Sequence, residues 1–179
     1  MPATGKQRYC RVSTPLGDMV AVAAAGACGE RLPDGLRALF FGDPGEDPST
    51  EHLGSPAEVG ADPLLRSVEL QLDEFFTGAR TEFSVPLLPL GSDFEQRVWR
   101  SVCHIPYGET ASYGAVAAEM GNPGLARAVA RALAHSPISI IVPCHRVVRA
   151  DGGLSGRHRD VDRRRSMIAL EAETLHGLR

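Results

Sequence analysis

Nothing in this chain approaches the roughly 20 consecutive apolar residues needed to span a bilayer, which excludes a membrane-spanning helix. The opening stretch, Met1 to Arg11, lacks the apolar core of a secretory signal. The expectation is a soluble, cytoplasmic bacterial protein with no membrane partner. A reducing compartment disfavours disulfides among Cys10, Cys28, Cys103 and Cys144. No CxxC or HxxxH spacing occurs, so zinc has no local support. A site from Cys10, Cys28 and His52 would need three distant residues to converge, and no metal is expected. Internal repeats and low-complexity tracts are absent. So, almost, is lysine: Lys6 stands alone, and every other basic residue is arginine. That bias hints at a high-GC bacterial source.

What is present is an ordinary globular composition. The chain has 179 residues, 43% of them hydrophobic, enough for one large or two small domains with packed cores. Net charge is −3, which alone argues against nucleic acid. The distribution argues the other way. Residues 1–90 hold 7 basic and 13 acidic groups, while residues 91–179 hold 12 basic and 9 acidic. Nine arginines face three aspartates between Pro123 and Arg165. Such a basic half can meet phosphates, or it can be a solvated arginine-rich surface.

Three short strands are expected over residues 9–13, 19–24 and 36–41, with a turn at Thr14-Pro15-Leu16-Gly17-Asp18. Residues 42–61 are acidic and rich in Gly and Pro, and read as a loop. Asp62-Pro63 opens a helix, with Leu64, Val68, Leu72 and Phe75/Phe76 as its apolar face and Gly78 as its end. Pro86, Pro89 and Gly91 suggest a boundary, giving domains at 1–88 and 89–179. Ser92-Asp93-Phe94-Glu95 is a capping box for the next helix. Ser112 caps a short helix through Met120, Gly121 stops it, and Asn122-Pro123 starts another. Helix, Gly-containing turn, helix is the helix-turn-helix pattern, although hairpins of two helices are common without any nucleic acid. In the second of these helices Leu125, Val129 and Leu133 face a core. Arg127 and Arg131 occupy another face, among Ala126, Ala130 and Ala134. Small residues admit a close backbone and the arginines reach further, a surface suited to a groove. The last helix is expected from about residue 161 to 175, capped by Asp160 and burying Met167, Ile168 and Leu175.

The chemistry concentrates in Ile141-Val142-Pro143-Cys144-His145-Arg146-Val147-Val148. The β-branched run at 138–142 reads as a buried strand ended by Pro143. A thiol at such a strand end, beside an imidazole and a guanidinium, is a candidate nucleophile. The alternative is an inert cysteine in an apolar segment.

These segments, in this order, resemble the O6-alkylguanine-DNA alkyltransferases. The resemblance rests on Ile105-Pro106-Tyr107-Gly108-Glu109-Thr110, Ser112-Tyr113-Gly114, Gly121-Asn122-Pro123, Ala126-Arg127-Ala128-Val129 and the cysteine octapeptide, and it is strong over residues 94–149. It implies an α/β protein: a ribonuclease-H-like N-terminal domain of mainly structural role, then a mainly helical, winged helix-turn-helix-like domain. It implies a monomer, with cooperative assembly on DNA as the alternative, that binds the minor groove of double-stranded DNA. O6-alkylguanine, and also O4-alkylthymine, would be flipped into a pocket, because chemistry on a stacked base is sterically blocked. Cys144 would accept the alkyl group once and irreversibly, as a thioether, with no cofactor. His145 would deprotonate it through a water, oriented by Glu171. Tyr113 would crowd the 3′ phosphate and donate toward guanine N3. Arg127 would fill the vacated stack. Gly114, Asn122, Ala126 and Arg131 would also meet DNA.

Pro143, Val147, Val148, Ser136, Ser155, Arg157 and His158 would line the substrate pocket on the same resemblance. Two departures stand out. Ser136-Pro137 replaces the family's Asn-Pro, with one hydroxyl in place of an amide. Arg157, His158, Arg159 and Asp160 replace the aromatic and glycines that wall the alkyl pocket, and would narrow it, recharge it, or swing onto phosphate. Two further readings therefore stand beside the suicide alkyltransferase. One is an alkyltransferase-like protein that binds and flags lesions with little transfer. The other is a Cys-His hydrolase.

Overall fold

The computed structural model describes residues 7–25, 34–42, 53–57 and 59–177, in two compact units, Met1–Leu90 and Gly91–Arg179. Cys28, His52 and most of the acidic loop lie outside the described residues. The fold is mixed α/β, a sheet with several helices.

In the first unit, strands β1 (Gln7–Thr14), β2 (Gly17–Ala24) and β3 (Gly35–Phe41) pair antiparallel in sequence. Gly17, at φ 120°, takes the turn backbone that a side chain would resist. The two-residue β4 (Ser55–Pro56) adds parallel to β1, giving the order β3-β2-β1-β4. All three expected strands are present. Residues 83–88 add only a single bridge, Leu87 to Leu36.

β2 is buried from Met19 to Ala24. Its Val20 and Val22 pack with Leu53, Tyr9, Ala38 and Phe40. Helix α1 (Pro63–Phe76) lies against β1 and β2. Asp62 caps it, accepting from the Leu64 and Leu65 amides at 3.0 and 3.1 Å. Its buried face is Leu65, Val68, Leu72 and Phe75. Leu65 thus takes the inward position expected of Leu64. Arg8 bridges Asp62 and Asp34. Burial works to raise the Asp62 pKa, and Arg8 together with the Leu64 and Leu65 amides outweighs it, so the carboxyl stays below its ordinary range.

The second unit opens with α2 (Asp93–Val102), whose capping box is complete: Ser92 Oγ accepts from the Glu95 amide and Glu95 Oε2 from the Ser92 amide. β5 (Ala111–Ser112) leads directly into α3 (Tyr113–Glu119), capped by Ser112. Gly121, at φ 93°, makes the turn. Asn122 then caps a 3-10 turn, Pro123–Leu125, that runs into α4 (Ala126–Ala134). Val129, Ala132 and Leu133 form the buried face of α4, and Leu125 is only half-buried. Trp99 Nε1 donates to the Ala132 carbonyl at 2.9 Å and so ties α2 to α4.

Two expectations need correction here. Residues 138–142 are not a strand: after one bridging residue at Ile138 they are turn. Ile140 sits at φ 67°, and Ser139 O accepts from the Ile141 amide at 2.8 Å, a tight reversal that no strand accommodates. The last helix also begins earlier. α5 spans His158–Gly177, its first turn closes on the Arg157 carbonyl, and Asp160 lies inside that turn instead of capping it. α5 buries Met167 and Glu171, while Ile168 is half-buried and Leu175 exposed.

Candidate active site and DNA-facing surface

Cys144 is presented by turns, not by a strand end. Pro143, fixed near φ −80° with ψ 59°, centres a three-residue turn in which Val142 O accepts from the Cys144 amide at 2.7 Å. Pro143 O then accepts from the Arg146 amide at 3.0 Å, closing the 3-10 turn Cys144–Arg146. β6 (Val147–Val148) follows and pairs parallel with β5, Ala111 beside Val147 and Ser112 beside Val148. This two-residue ladder brings the start of α3, with Tyr113, next to the cysteine turn.

The thiol is half-buried. Burial pushes its pKa up to about 11, and the Ser136 hydroxyl and the Arg164 cation pull it back only in part.

Beneath it lies a buried polar network. His145 Nε2 and Glu171 Oε1 are 2.7 Å apart. Arg146 donates Nε to Glu171 Oε1 and Oε2, both at 3.1 Å, and Nη2 to Oε1 at 3.0 Å. The Gly108 amide donates to Glu171 Oε2 at 2.8 Å, and Arg146 Nη1 donates to the Ile105 carbonyl at 2.7 Å. The Arg146 guanidinium lies 5.5 Å from the Tyr107 ring centroid. Burial would raise the Glu171 pKa, but the hydrogen bonds from His145 and Arg146 win and lower it. Glu171 is therefore an acceptor-only carboxylate, and His145 Nε2 must carry the proton. Burial lowers the His145 pKa against the pull of Glu171, so the ring is neutral. Glu171 and His145 thus meet as the resemblance implied. The role of Arg146 as counter-charge was not foreseen.

The remaining expected pocket residues divide. Pro143 and Val147 are buried, and Val148 and Ser136 are half-buried. Ser136 Oγ donates to the Ile138 carbonyl at 3.3 Å, bracing the turn from below. Ser155 is exposed, its hydroxyl 2.8 Å from the Tyr113 hydroxyl. Arg157 and His158 are exposed, and His158 Nδ1 pairs with Asp162 at 2.8 Å. The departing segment thus runs into the first turn of α5, and its residues are exposed.

On α3 and α4, Arg127, Arg131 and Asn122 are exposed, and Gly114 and Ala126 are half-buried. A methyl group on Gly114 would meet only Ser112 Oγ, at 3.8 Å, so the fold itself leaves that spot open. Among the described residues, no group of three or more His, Cys, Asp or Glu side chains could hold a metal. Cys10 is buried in β1, and no helix among these residues is long and apolar enough to cross a membrane.

Residues 93–173 match the family described as 6-O-methylguanine DNA methyltransferase, DNA binding domain. A methylated-DNA–protein-cysteine methyltransferase of Mycobacterium bovis is 52% identical over 101 residues, covering 56% of this chain and 61% of that protein. The chain therefore matches about three-fifths of the length of such mycobacterial relatives. The corresponding protein of Methanosarcina barkeri is 41% identical over 112 residues, covering 63% of this chain and 71% of its own. The crystal structure of Mycobacterium tuberculosis O6-methylguanine methyltransferase superimposes with TM-score 0.80 at 37% identity, covering 94% of each chain. The same organism's OGT in complex with DNA gives TM-score 0.75 at 39% identity, covering 93% of this chain and 94% of that one.

Fold and likeness together define the class, a mixed α/β protein whose residues 93–173 match the DNA-binding-domain family of the 6-O-methylguanine DNA methyltransferases. Within that class, the chain belongs to the methylated-DNA–protein-cysteine methyltransferase family.

Proposed function

We propose that this protein repairs double-stranded DNA by moving the alkyl group of O6-alkylguanine, and also of O4-alkylthymine, onto Cys144 in a single-turnover reaction. The observation that carries the reading is the Cys144 turn, half-buried above a His145–Glu171–Arg146 network and joined to α3 by the β5–β6 ladder. The relatives' names and the DNA complex support the same activity and partner.

In this reading α4 enters the minor groove, with Arg127 filling the stack left by the flipped base. Arg131 and Asn122 hold phosphates, and Gly114 and Ala126 let the backbone approach. Pro143, Val147, Val148 and Ser136 wall the alkyl pocket near Cys144, with Ser155, Arg157 and His158 at its rim. The Cys144 sulfur bonds to the alkyl carbon as the carbon–O6 bond breaks. The thiol proton leaves through a water to His145, and the Tyr113 hydroxyl gives a proton toward guanine N3. Return of the His145 proton to Tyr113 through solvent leaves neutral guanine and a neutral thioether. Water does not cleave a thioether, so the protein reacts once.

The same reading makes the first unit a ribonuclease-H-like structural domain and the second a winged helix-turn-helix-like domain, with the boundary near residues 88–90. It makes the protein a cytoplasmic monomer that reaches the nucleoid through DNA.

The burial that raises the Cys144 pKa favours the second reading, a lesion-binding protein with little transfer. Intact mass after incubation with an O6-methylguanine duplex separates the two. Alkyl transfer gives one adduct of about 14 Da on Cys144. Tight lesion binding without an adduct selects the second reading, and steady turnover of an ester would select a hydrolase.

A further inference from the structure

Arg164 is a basic residue close to Cys144 that takes no part in the proposed reaction. It lies on the second turn of α5, half-buried, in a run of three arginines that reads as surface charge. Its guanidinium points inward. Nη2 donates to the Cys144 carbonyl at 3.0 Å and also to the Val147 carbonyl, while Nη1 donates to the Ser155 carbonyl at 2.7 Å. Its neighbour Arg165 instead pairs with Asp162 at 2.9 Å and is exposed.

The three carbonyls come from three pieces of chain. Cys144 heads the turn bearing the thiol, Val147 begins β6, and Ser155 sits in the loop whose side chain meets Tyr113. A guanidinium offers five N–H donors in a rigid fork, so one residue can hold divergent acceptors together. An ammonium is a single point with three rotatable donors.

We infer that Arg164 is a positioning residue, a three-carbonyl clamp that holds the Cys144 turn and the Ser155–Tyr113 side of the pocket at a fixed separation. The inference rests on the alkyl-acceptor reading of Cys144. A cation at this point also favours the thiolate, so Arg164 has two separable effects, geometry and charge. The clamp explains how the pocket keeps its shape although residues 157–160 depart from the family's aromatic and glycines. The backbone of Ser155 is one hold on that rim.

Two variants separate the effects, Arg164→Met and Arg164→Lys, each with two readouts. The first is carboxyamidomethylation of Cys144 by iodoacetamide across pH 7 to 10, mapped to its peptide so that exposed Cys103 does not contribute. The second is single-turnover transfer from an O6-methylguanine duplex, with duplex affinity measured in parallel. Arg164→Met should slow the iodoacetamide reaction roughly threefold or more below pH 9 and move its pH profile upward, because a nearby cation is lost. Arg164→Lys should keep that profile within about twofold, yet slow transfer about tenfold, because one ammonium does not span three acceptors. Duplex affinity should change less than about twofold in both, since the side chain faces inward.

Wild-type rates for Arg164→Met in both assays would overturn the clamp. So would full transfer by Arg164→Lys, which would leave charge as the whole effect. Loss of folding by both variants would make Arg164 merely structural and overturn it as well. If the wild-type protein gave no duplex adduct, the alkyltransferase reading would fall, while the iodoacetamide profiles would still report on Arg164.

Discussion

Glu171 and His145, 26 residues apart in the chain, meet at 2.7 Å with both side chains buried. Glu171 comes from the middle of α5, and His145 from the turn that presents the thiol. Arg146, next to His145, supplies the positive charge that lets a carboxylate remain ionised there. His145 can then stay neutral and take up a proton. If the carboxylate paired with His145 alone, it would draw the imidazole toward its charged form.

Glu171→Ala should therefore unfold the second unit far more readily than it changes any surface property. The substitution leaves Arg146 buried without a counter-charge, and breaking such a pair costs about 3–5 kcal/mol. Glu171→Gln keeps an acceptor oxygen for Arg146 or for the Gly108 amide and should cost less. Urea unfolding of the three proteins checks the order, and equal midpoints would remove Arg146 from the argument.

The same network sets the response to acid. Burial depresses the His145 pKa below its ordinary value near 6.5. Its hydrogen bonds hold Glu171, despite burial, below its ordinary value near 4.5. In both cases the unfolded chain binds a proton before the folded one does, so stability falls as pH falls. The decline should begin just below pH 6.5 with His145 and steepen below pH 4.5 with Glu171. Unfolding midpoints from pH 8 to pH 4 follow it, and a flat profile across the upper step would contradict the burial of a neutral His145. Cys144 acts at the other end. Burial raises its folded pKa to about 11, so its contribution is lost as pH rises from the ordinary thiol value toward 11.

Local chemistry made the caps readable from sequence. Asp62, Ser92, Ser112 and Asn122 all cap as expected, because a cap involves only two or three consecutive residues. The run at 138–142 misled for the complementary reason. Its β-branched residues favour strands, but a short apolar segment carries no record of which tertiary shape will bury it. Motif order singles out Cys144, Tyr113 and Glu171, and the structure brings Glu171 to His145 and the start of α3 beside the cysteine turn. The contacts of Arg146 and Arg164 are not legible in it. Arg146 is read only as a neighbour of the thiol and Arg164 only as solvated charge, and contacts 9 to 41 residues away turn both inward.

Ile140 gives that misreading a measurable consequence. At φ 67° an L-residue pays for its Cβ, by about 1–2 kcal/mol, and glycine does not. Ile140→Gly should be more stable than Ile140→Ala by about 1 kcal/mol, although both lose a buried side chain. At Ile138, also buried, the order should reverse, because glycine adds only entropy cost there. Chemical denaturation of the four variants decides it. The same order at both positions would mean that the backbone at 140 relaxes freely, and the turn beneath Cys144 would then be soft.

The proposed DNA-facing role makes a sharper demand, because Arg127 and Arg131 stand one turn apart on α4 and the proposal gives them different tasks. Both are exposed, and neither fills the core made by Val129, Ala132 and Leu133. Arg131→Ala should weaken binding about equally to lesioned and plain duplex. It should also reduce the slope of log affinity against log salt by about 1, the signature of one lost phosphate contact. Arg127→Ala should cost more on the lesioned duplex than on the plain one, because in the proposed function its side chain replaces a flipped base and the unstacked site would otherwise stay empty. Cys144→Ala should abolish transfer while leaving both affinities near wild type. A fluorescent base analogue opposite the lesion reads flipping directly. Its signal should fall in Arg127→Ala and persist in Cys144→Ala, and the opposite order would place the stack-filling group elsewhere on the α3–α4 surface.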